Sequence, residues 1–171
     1  KSITDYLKNQ KIRTGVETIQ HYLSYITDAL LTHKVRRYDL KGKRLLEIHE
    51  KYYLGDIGIR HALLGYREGD IAGVLENVVF LELRRRGYEV HIGKLDTMEI
   101  DFVATKEKEK KYIQVAYLLP SPETIEREFR PLQHIDDNYP KYVLSMDTHF
   151  GNDINGIHRV NILDFLERPL P

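Results

Sequence analysis

The chain of 171 residues contains neither cysteine nor tryptophan. The absence of cysteine excludes disulfide bonds and thiolate chemistry, and it is typical of a cytoplasmic protein. No apolar run reaches the roughly 18 residues that a membrane-spanning helix needs, and the first residues do not have the pattern of a signal peptide. The eight histidines show no His-x-x-x-His spacing, which argues against a zinc site. We therefore expect a cytoplasmic protein that does not cross a membrane.

The formal net charge is zero, but the charges are unevenly distributed along the chain. Residues 1–56 hold 11 Lys and Arg against 7 Asp and Glu, a balance of +4, whereas residues 57–171 have a balance of −4. The first third is thus better suited than the rest to meet a polyanion, although an ordinary solvated surface explains the same bias.

Residues 1–56 have the element order of a winged helix. A short helix begins near Ser2, and a second helix begins at Thr14, where the Thr14 hydroxyl and Glu17 form a capping-box pattern. Two strands follow, Thr32–Asp39 and Arg44–His49, joined by a Lys-Gly-Lys turn. In such a fold the second helix enters the major groove of DNA and the hairpin contacts phosphates.

The hairpin is the basic part of this predicted module. Its candidate nucleic-acid-binding residues are Lys34, Arg36, Arg37, Lys41, Lys43 and Arg44. The outer face of the second helix carries acidic and amide side chains, among them Glu17, Gln20 and Asp28. Because that face is not basic, packing or dimerisation is the alternative role for the module.

Residues 57–171 form a second predicted domain of the mixed α/β class, with its boundary near Asp56. Helices are predicted over Ile57–Leu64, over Ile71–Arg86 with Asp70 as cap and Gly87 as stop, and from Ser121 to Ile135. Strands are predicted at Tyr88–Ile92, Glu99–Ala104, Lys111–Leu118, Lys141–Met146 and Ile157–Val160, before a last helix at residues 162–166. The first three strands should form an antiparallel meander, and the fourth should lie parallel to the third because a helix separates them.

Three polar residues interrupt apolar segments of this domain: Glu76 on the long helix, Asp101 on the second strand and Gln114 on the third. Glu99 lies two residues before Asp101 and shares its face of the sheet. Oxygen ligands that converge from rigid elements are what a divalent metal needs for phosphodiester hydrolysis. Buried acids also occur in structural hydrogen-bond networks, so both interpretations stay open, including an ion pair of Asp101 with Arg127.

The order of several motifs resembles a known family over essentially the whole chain. The motifs are Leu75-Glu76-Asn77, Gly87-Tyr88, Glu99-Ile100-Asp101-Phe102-Val103, Ile113-Gln114-Val115-Ala116-Tyr117, Glu126-Arg127-Glu128 and Tyr139-Pro140-Lys141-Tyr142-Val143. They resemble the C-terminal region of bacterial and archaeal AAA-type ATP-binding proteins. In that family a P-loop ATPase module precedes a winged helix and a domain of unknown function related to the PD-(D/E)XK nuclease superfamily.

The resemblance implies a restriction-endonuclease-like mixed sheet in which Glu76 and Asp101 match the nuclease acids. Gln114-Val115-Ala116 stands where the nuclease motif has (D/E)-x-K, so a carboxylate and the motif lysine are missing. Losing such a group costs roughly 100-fold or more in rate. Lys94 and Lys111 are the lysines that we expect could reach the site from a neighbouring strand. No Gly-x-x-x-x-Gly-Lys-[Ser/Thr] motif occurs, so we expect a C-terminal fragment without the ATP-binding module.

The leading hypothesis is a non-enzymatic module that binds DNA, a protein partner or its own ATPase module, with no cofactor in this fragment. The alternative is a DNase that uses Glu76, Asp101 and Gln114 with Mg²⁺ or Mn²⁺, the metal being held by Glu76 and Asp101. The two hypotheses differ in a structural expectation. The DNase needs these residues to line one open cleft with a lysine within reach.

Overall fold

A computed structural model describes residues 3–148 and 153–170, without the side chains of residues 48 and 49. The helices within these residues are α1 Ile3–Asn9, α2 Val16–Asp28, α3 Ile57–Leu64, α4 Ile71–Arg85, α5 Pro122–Gln133 and α6 Ile162–Glu167. The strands are β1 Thr32–Asp39, β2 Arg44–Leu54, β3 Glu89–Leu95, β4 Met98–Lys106, β5 Glu109–Val115, β6 Lys141–Ser145 and β7 Ile157–Asn161. The chain is thus of the mixed α/β class that the sequence predicts.

These strands form one mixed sheet in the described part of the chain, with the order β2-β1-β3-β4-β5-β6-β7. The meander β3-β4-β5 is antiparallel, and β5 and β6 are parallel across α5, so both predictions are confirmed. β7 adds a further parallel strand next to β6. A helix between two strands forces the second strand to return in the same direction, which is why this part of the topology is readable from the sequence.

The β1–β2 hairpin belongs to the same sheet as the meander. β1 pairs with β3 in parallel register, Arg37 lying opposite Ile92 and Asp39 opposite Lys94. The predicted boundary near Asp56 falls between β2 and α3, and the sheet extends across it. The hairpin is also longer than predicted, because β2 continues beyond residue 49 to Leu54.

Helix ends agree with the sequence where a local motif decides the geometry. Gly87, at φ +82°, follows the end of α4, and the amide of Tyr88 binds the carbonyl of Leu83 at 3.0 Å. Ser121 caps α5 through the amide of Thr124 at 3.3 Å, with Pro122 at the first helical position.

Two predicted caps are wrong, and a third lies outside the described residues. α2 begins one residue later than expected, so the N-cap position belongs to Gly15 and Thr14 forms no cap. Asp70 precedes α4 but has ψ near 0° at the end of a 3₁₀ turn, not the extended backbone that a side-chain cap needs, and its carboxylate pairs with Arg60 instead. The predicted cap at Ser2 is the one that is not described.

The core lies on both faces of the sheet. On one face α4 and α6 cover a cluster that includes Tyr53, Phe80 and Phe102. On the other face α5 covers a cluster that includes Tyr112 and Phe129. The predicted polar residues therefore sit on elements whose positions are fixed by large buried side chains.

Candidate functional site

Lys51 on β2 connects the two carboxylates that project from α4 and β4. Its Nζ lies 3.0 Å from Oε1 of Glu76 and 2.7 Å from Oε1 of Glu99. Arg37 on β1 forms a second ion pair with Glu99. Two cations and two carboxylates thus meet at one place on the α4 side of the sheet, and their formal charges balance.

Tyr53 completes this group of side chains. It lies two residues after Lys51 on the same strand and so points to the same face. Its hydroxyl donates to Oε1 of Glu76 at 2.5 Å, while its ring stacks on Phe80 with centroids 4.5 Å apart. Burial, and next the charge of Glu76, raise the pKa of the Tyr53 hydroxyl, so it remains a neutral donor.

The electrostatics of Glu99 and Lys51 follow from this pairing. Burial acts to raise the pKa of Glu99, but the hydrogen bonds from Lys51 and Arg37 outweigh it, so the pKa is lowered. Burial likewise acts to lower the pKa of Lys51, and the charges of Glu76 and Glu99 reverse this into an increase. Both groups are therefore held in their charged forms.

Asp101 lies at a β-bulge, an irregularity that the strand pattern does not reveal. His91 pairs with Val103 and Gly93 with Ile100, so the single residue between them on β3 faces two residues on β4, one of which is Asp101. The β4–β5 ladder ends at Phe102. Beyond that point, Oδ2 of Asp101 accepts the amide hydrogen of Val115 at 2.8 Å, and this bond links the two strands where their backbone pairing has stopped.

The environment of Asp101 favours its protonated form. Burial and the nearby charge of Glu76 raise the pKa of Asp101 to about 7, although the Val115 amide and Lys51 act in the opposite direction. A carboxyl group with this pKa is only partly ionised at neutral pH. It therefore supplies less negative charge to the site than a carboxylate in water would.

Gln114 lies beside Asp101 but binds protein groups with both ends of its amide. Its Oε1 accepts the amide hydrogen of Asp101 at 3.3 Å, and its Nε2 donates to Glu128 on α5 at 3.2 Å. Arg127 pairs with Glu128 at 2.8 Å, so the predicted ion pair of Asp101 with Arg127 is wrong. Arg127 projects with the exposed side of α5, whereas Asp101 is directed toward Val115.

The lysine of this site is Lys51, which lies beyond residue 49, the predicted end of the second hairpin strand. Of the two lysines that were expected, Lys111 reaches the carbonyl of Leu170 at 3.5 Å and lies 5.8 Å from the Tyr142 ring centroid. Lys94 is exposed on β3, where it pairs with Glu99 along the backbone. The only hint of Lys51 in the sequence is the β-prone run Lys51-Tyr52-Tyr53-Leu54.

The acids of this site are already engaged by protein groups. In the described ranges, no three His, Asp or Glu side chains are grouped so that they could hold a metal ion. An ammonium group lies between the carboxylates of Glu76 and Glu99, and Oδ2 of Asp101 and Oε1 of Gln114 already accept backbone hydrogens. The first cation that these acids meet is thus Lys51.

The six basic residues of the hairpin do not share one surface. Neighbouring residues of a strand point to opposite faces, and Arg37 faces Glu99 on the α4 side. Lys34 pairs with Glu50 at 2.7 Å and Lys41 with Asp96 at 2.6 Å. The remaining three, Arg36, Lys43 and Arg44, are exposed.

Comparisons with known proteins give relatives but no function. The model of a domain of unknown function, DUF8612, matches residues 3–70. An uncharacterized protein of Haemophilus influenzae is 38% identical over 164 residues, which cover 96% of this chain and 40% of that protein. An uncharacterized protein of Methanocaldococcus jannaschii is 34% identical over 123 residues, covering 70% of this chain and 27% of that protein. The chain thus spans less than half the length of these relatives.

No solved structure matches the chain. Across the described residues, the structure contains no helix that is both long enough and apolar enough to span a membrane.

Proposed function

We propose that this chain is a non-catalytic binding module, in which a winged-helix-like segment precedes a degenerate nuclease-like α/β unit. The observation that carries the proposal is the charge balance of Lys51 and Arg37 against Glu76 and Glu99. A nuclease site keeps carboxylates available for a metal and its water. Here Glu76, one of the two acids that match the nuclease motif, is paired with Lys51, and the other, Asp101, accepts the backbone amide hydrogen of Val115.

Two features support the proposed relation to the nuclease superfamily and the winged helix. The order of a helix, an antiparallel meander, a helix and a parallel strand is the order that the resemblance implies. The order α1, α2 and a β-hairpin is likewise that of a winged helix. The relatives are longer than this chain, which leaves room in them for the ATPase module that we propose for the whole protein.

Nucleic acid is the first partner class that we propose. Arg36, Lys43 and Arg44 are exposed on the hairpin, and exposed cations bind phosphates with a strong dependence on salt. The three hairpin cations that pair with carboxylates should contribute less, because a phosphate would have to displace a partner that is already in place.

A protein surface is the second partner class. Large apolar side chains are exposed on α2 and near α3, including Tyr25 at 64%, Leu63 at 78% and Tyr66 at 71%. Leu63 and Tyr66 are three residues apart in the chain, and exposed large apolar side chains of this kind are typical of surfaces that another protein covers.

The test of the nucleic-acid role is a fluorescence-anisotropy titration with duplex and single-stranded DNA over a series of salt concentrations. Replacing Arg36, Lys43 and Arg44 together by Ala should weaken binding and reduce the salt slope by about 2–3. The matched control removes three exposed cations elsewhere, Arg67, Lys108 and Arg130. If the two triple variants lose the same amount of DNA affinity, the attraction is nonspecific. If the wild-type protein does not bind DNA even at low salt, the protein-binding role is the one that remains.

The second candidate function is a DNase, which one observation favours. Nζ of Lys51 lies 3.0 Å from Glu76, so a lysine is present beside one of the candidate acids although residue 116 is alanine. This candidate predicts plasmid or single-stranded DNA cleavage in Mg²⁺ or Mn²⁺ that both Asp101→Ala and Lys51→Met abolish. The binding-module proposal predicts no metal-dependent cleavage by the wild-type protein, so the same assay separates the two.

A further inference from the structure

A cavity lies on the sheet face opposite Glu76 and Lys51. It has a volume of about 800 Å³ and opens between the tip of the β1–β2 hairpin and the loop that follows α5. Cavities of roughly 300–1,000 Å³ are the usual size of small-molecule sites. Neither Glu76, Asp101 nor Gln114 lines it.

Three tyrosines surround a lysine at this cavity. Nζ of Lys110 lies 5.7 Å from the ring centroid of Tyr38, 4.7 Å from that of Tyr112 and 5.1 Å from that of Tyr139. Cation–π attraction operates at these distances. Lys110 is therefore fixed as a positive charge among aromatic rings, where it cannot move freely with solvent.

Asp137 stabilises this arrangement. Its Oδ2 accepts the hydroxyl hydrogen of Tyr112 at 2.5 Å and lies 3.6 Å from Nζ of Lys110, while its Oδ1 accepts the amide hydrogen of Tyr139 at 3.3 Å. Burial, and next the hydrogen bond to Asp137, raise the pKa of Tyr112, so its phenol remains neutral. The carboxylate of Asp137 thus interacts with Tyr112 and Lys110 inside the cage, and it also holds the backbone of Tyr139 in place.

The rim of the cavity differs from its interior. Tyr139 is 44% exposed and forms part of the mouth. Lys41 and Lys43, on the hairpin turn, line the same opening, and Lys43 is exposed. Because Lys41 is paired with Asp96, the entrance combines an accessible aromatic ring with the exposed Lys43 at one end.

We propose that this cavity binds a nucleotide, with the base stacked on Tyr139 and the phosphate placed toward Lys43. Every base has a π-face that stacks on an aromatic side chain, and lysine is a common partner of phosphate. A simple ammonium ligand fits less well, because Lys110 already occupies the centre of the tyrosine cage. The proposal goes beyond the binding module described above, since it assigns a cavity and a ligand class, with Lys43 common to both.

Two kinds of ligand carry such a base and phosphate: a free nucleotide, and an unpaired nucleotide within a nucleic-acid strand. Isothermal titration calorimetry with AMP and with an oligo(dT) of ten nucleotides distinguishes them. If the oligonucleotide binds more tightly than AMP, the ligand of the cavity is a nucleotide within a nucleic-acid strand. If AMP binds at least as tightly as the oligonucleotide, the ligand is a free nucleotide. Replacing Arg36 and Arg44 by Ala, neither of which lines the cavity, should leave AMP binding unchanged, which separates this site from phosphate binding along the hairpin.

Tyr139→Ala should weaken binding roughly 5- to 100-fold, the range expected for one stacked base. Tyr139→Phe keeps the ring and should retain the affinity for the nucleotide. Lys43→Ala should lower the affinity for the nucleotide and make it less dependent on salt. Tyr117→Ala, which removes a tyrosine of similar exposure (41% against 44%) outside the cavity, is the matched control.

Three results would overturn the proposal. The first is an absence of binding of both AMP and the oligonucleotide to the wild-type protein. The second is equal binding by the wild-type protein and by Tyr139→Ala, with folding confirmed by circular dichroism. The third is binding of tetramethylammonium without binding of AMP, which would reassign the cavity to a cationic ligand.

Discussion

Asn77 on α4 binds the backbone of Leu54 through both ends of its amide. Oδ1 accepts the Leu54 amide hydrogen at 2.8 Å, and Nδ2 donates to the Leu54 carbonyl at 2.9 Å. Leu54 is the last residue of β2, the strand that carries Lys51 and Tyr53. The neighbour of Glu76 in the sequence thus holds the strand whose side chains bind Glu76.

Asn77→Ala should therefore destabilise the fold by about 2–3 kcal/mol, because two backbone groups lose their partners at a buried position. Urea denaturation followed by circular dichroism measures the change. Asn138→Ala, in an exposed loop, should change the free energy of unfolding by no more than about 0.5 kcal/mol. A loss below about 1 kcal/mol in Asn77→Ala would mean that β2 is held mainly by β1.

Lys51→Met should cost about 1–3 kcal/mol at pH 7, because Glu76 and Glu99 lose the cation between them while the volume of the side chain is kept. In a double-mutant cycle, Glu76→Gln should cost less in the Lys51→Met protein than in the wild-type protein. Lys51 lowers the pKa of Glu99, which means that their interaction stabilises the fold when Glu99 is ionised. The stabilisation that Lys51 provides through Glu99 should therefore be present above about pH 4.3 and lost at lower pH. Strict additivity across the cycle would show that the pair is not energetically coupled.

Asp101→Asn should change how stability depends on pH. The pKa of Asp101 is about 7 in the folded protein, above the value of about 3.9 in an unfolded chain. Because the pKa is raised, protonated Asp101 stabilises the fold, and this stabilisation is complete below about pH 4. It is lost as the pH rises toward 7, and the loss in the free energy of unfolding is on the order of 2–4 kcal/mol.

The asparagine variant keeps an acceptor for the Val115 amide but cannot ionise. The free energy of unfolding of the Asp101→Asn protein, minus that of the wild-type protein, should therefore increase between pH 4 and pH 7 and stay constant above pH 8. Thermal unfolding at closely spaced pH values checks this. Parallel curves for the two proteins would show that Asp101 has an ordinary pKa.

Two glycines should respond oppositely to alanine. At Gly93 on β3, an added Cβ would lie 2.9 Å from Cβ of Ile100 and 3.0 Å from Cγ2 of Val103, so Gly93→Ala should cost about 1–3 kcal/mol. At Gly73, an exposed position of α4, no atom would lie within 4 Å, and Gly73→Ala should stabilise by about 0.5–1 kcal/mol. Melting temperatures that shift in the same direction would contradict this pair of predictions.

The sequence predicts those parts of the fold that depend on neighbouring residues. Gly87 ends α4 and Ser121 begins α5 because each needs only a few adjacent groups to form its cap. The direction of β6 follows from the helix before it. These features depend on local backbone geometry, which the residue types encode directly.

The arrangement of the site could not be predicted in the same way. Lys51 meets Glu76 and Glu99 only because β2, an edge strand of the sheet, contacts α4, and nothing near Lys51 in the sequence indicates those partners. The register of β1 with β2 also shifts between Val35 and Arg37, which changes how the later residues of β2 are positioned. A bulge of this kind depends on the paired strand, so alternation along one strand does not reveal it.

The pairing of β1 with β3 has a consequence for how the molecule responds to ligands. Since the hairpin and the meander share backbone hydrogen bonds, residues 1–56 and 57–171 should unfold in one transition. A fragment that starts at residue 57 would leave the β3 edge bare and deprive Asn77 of Leu54. A ligand that binds only the hairpin therefore raises the melting temperature of the whole sheet, so a thermal-shift assay can report binding to the hairpin alone.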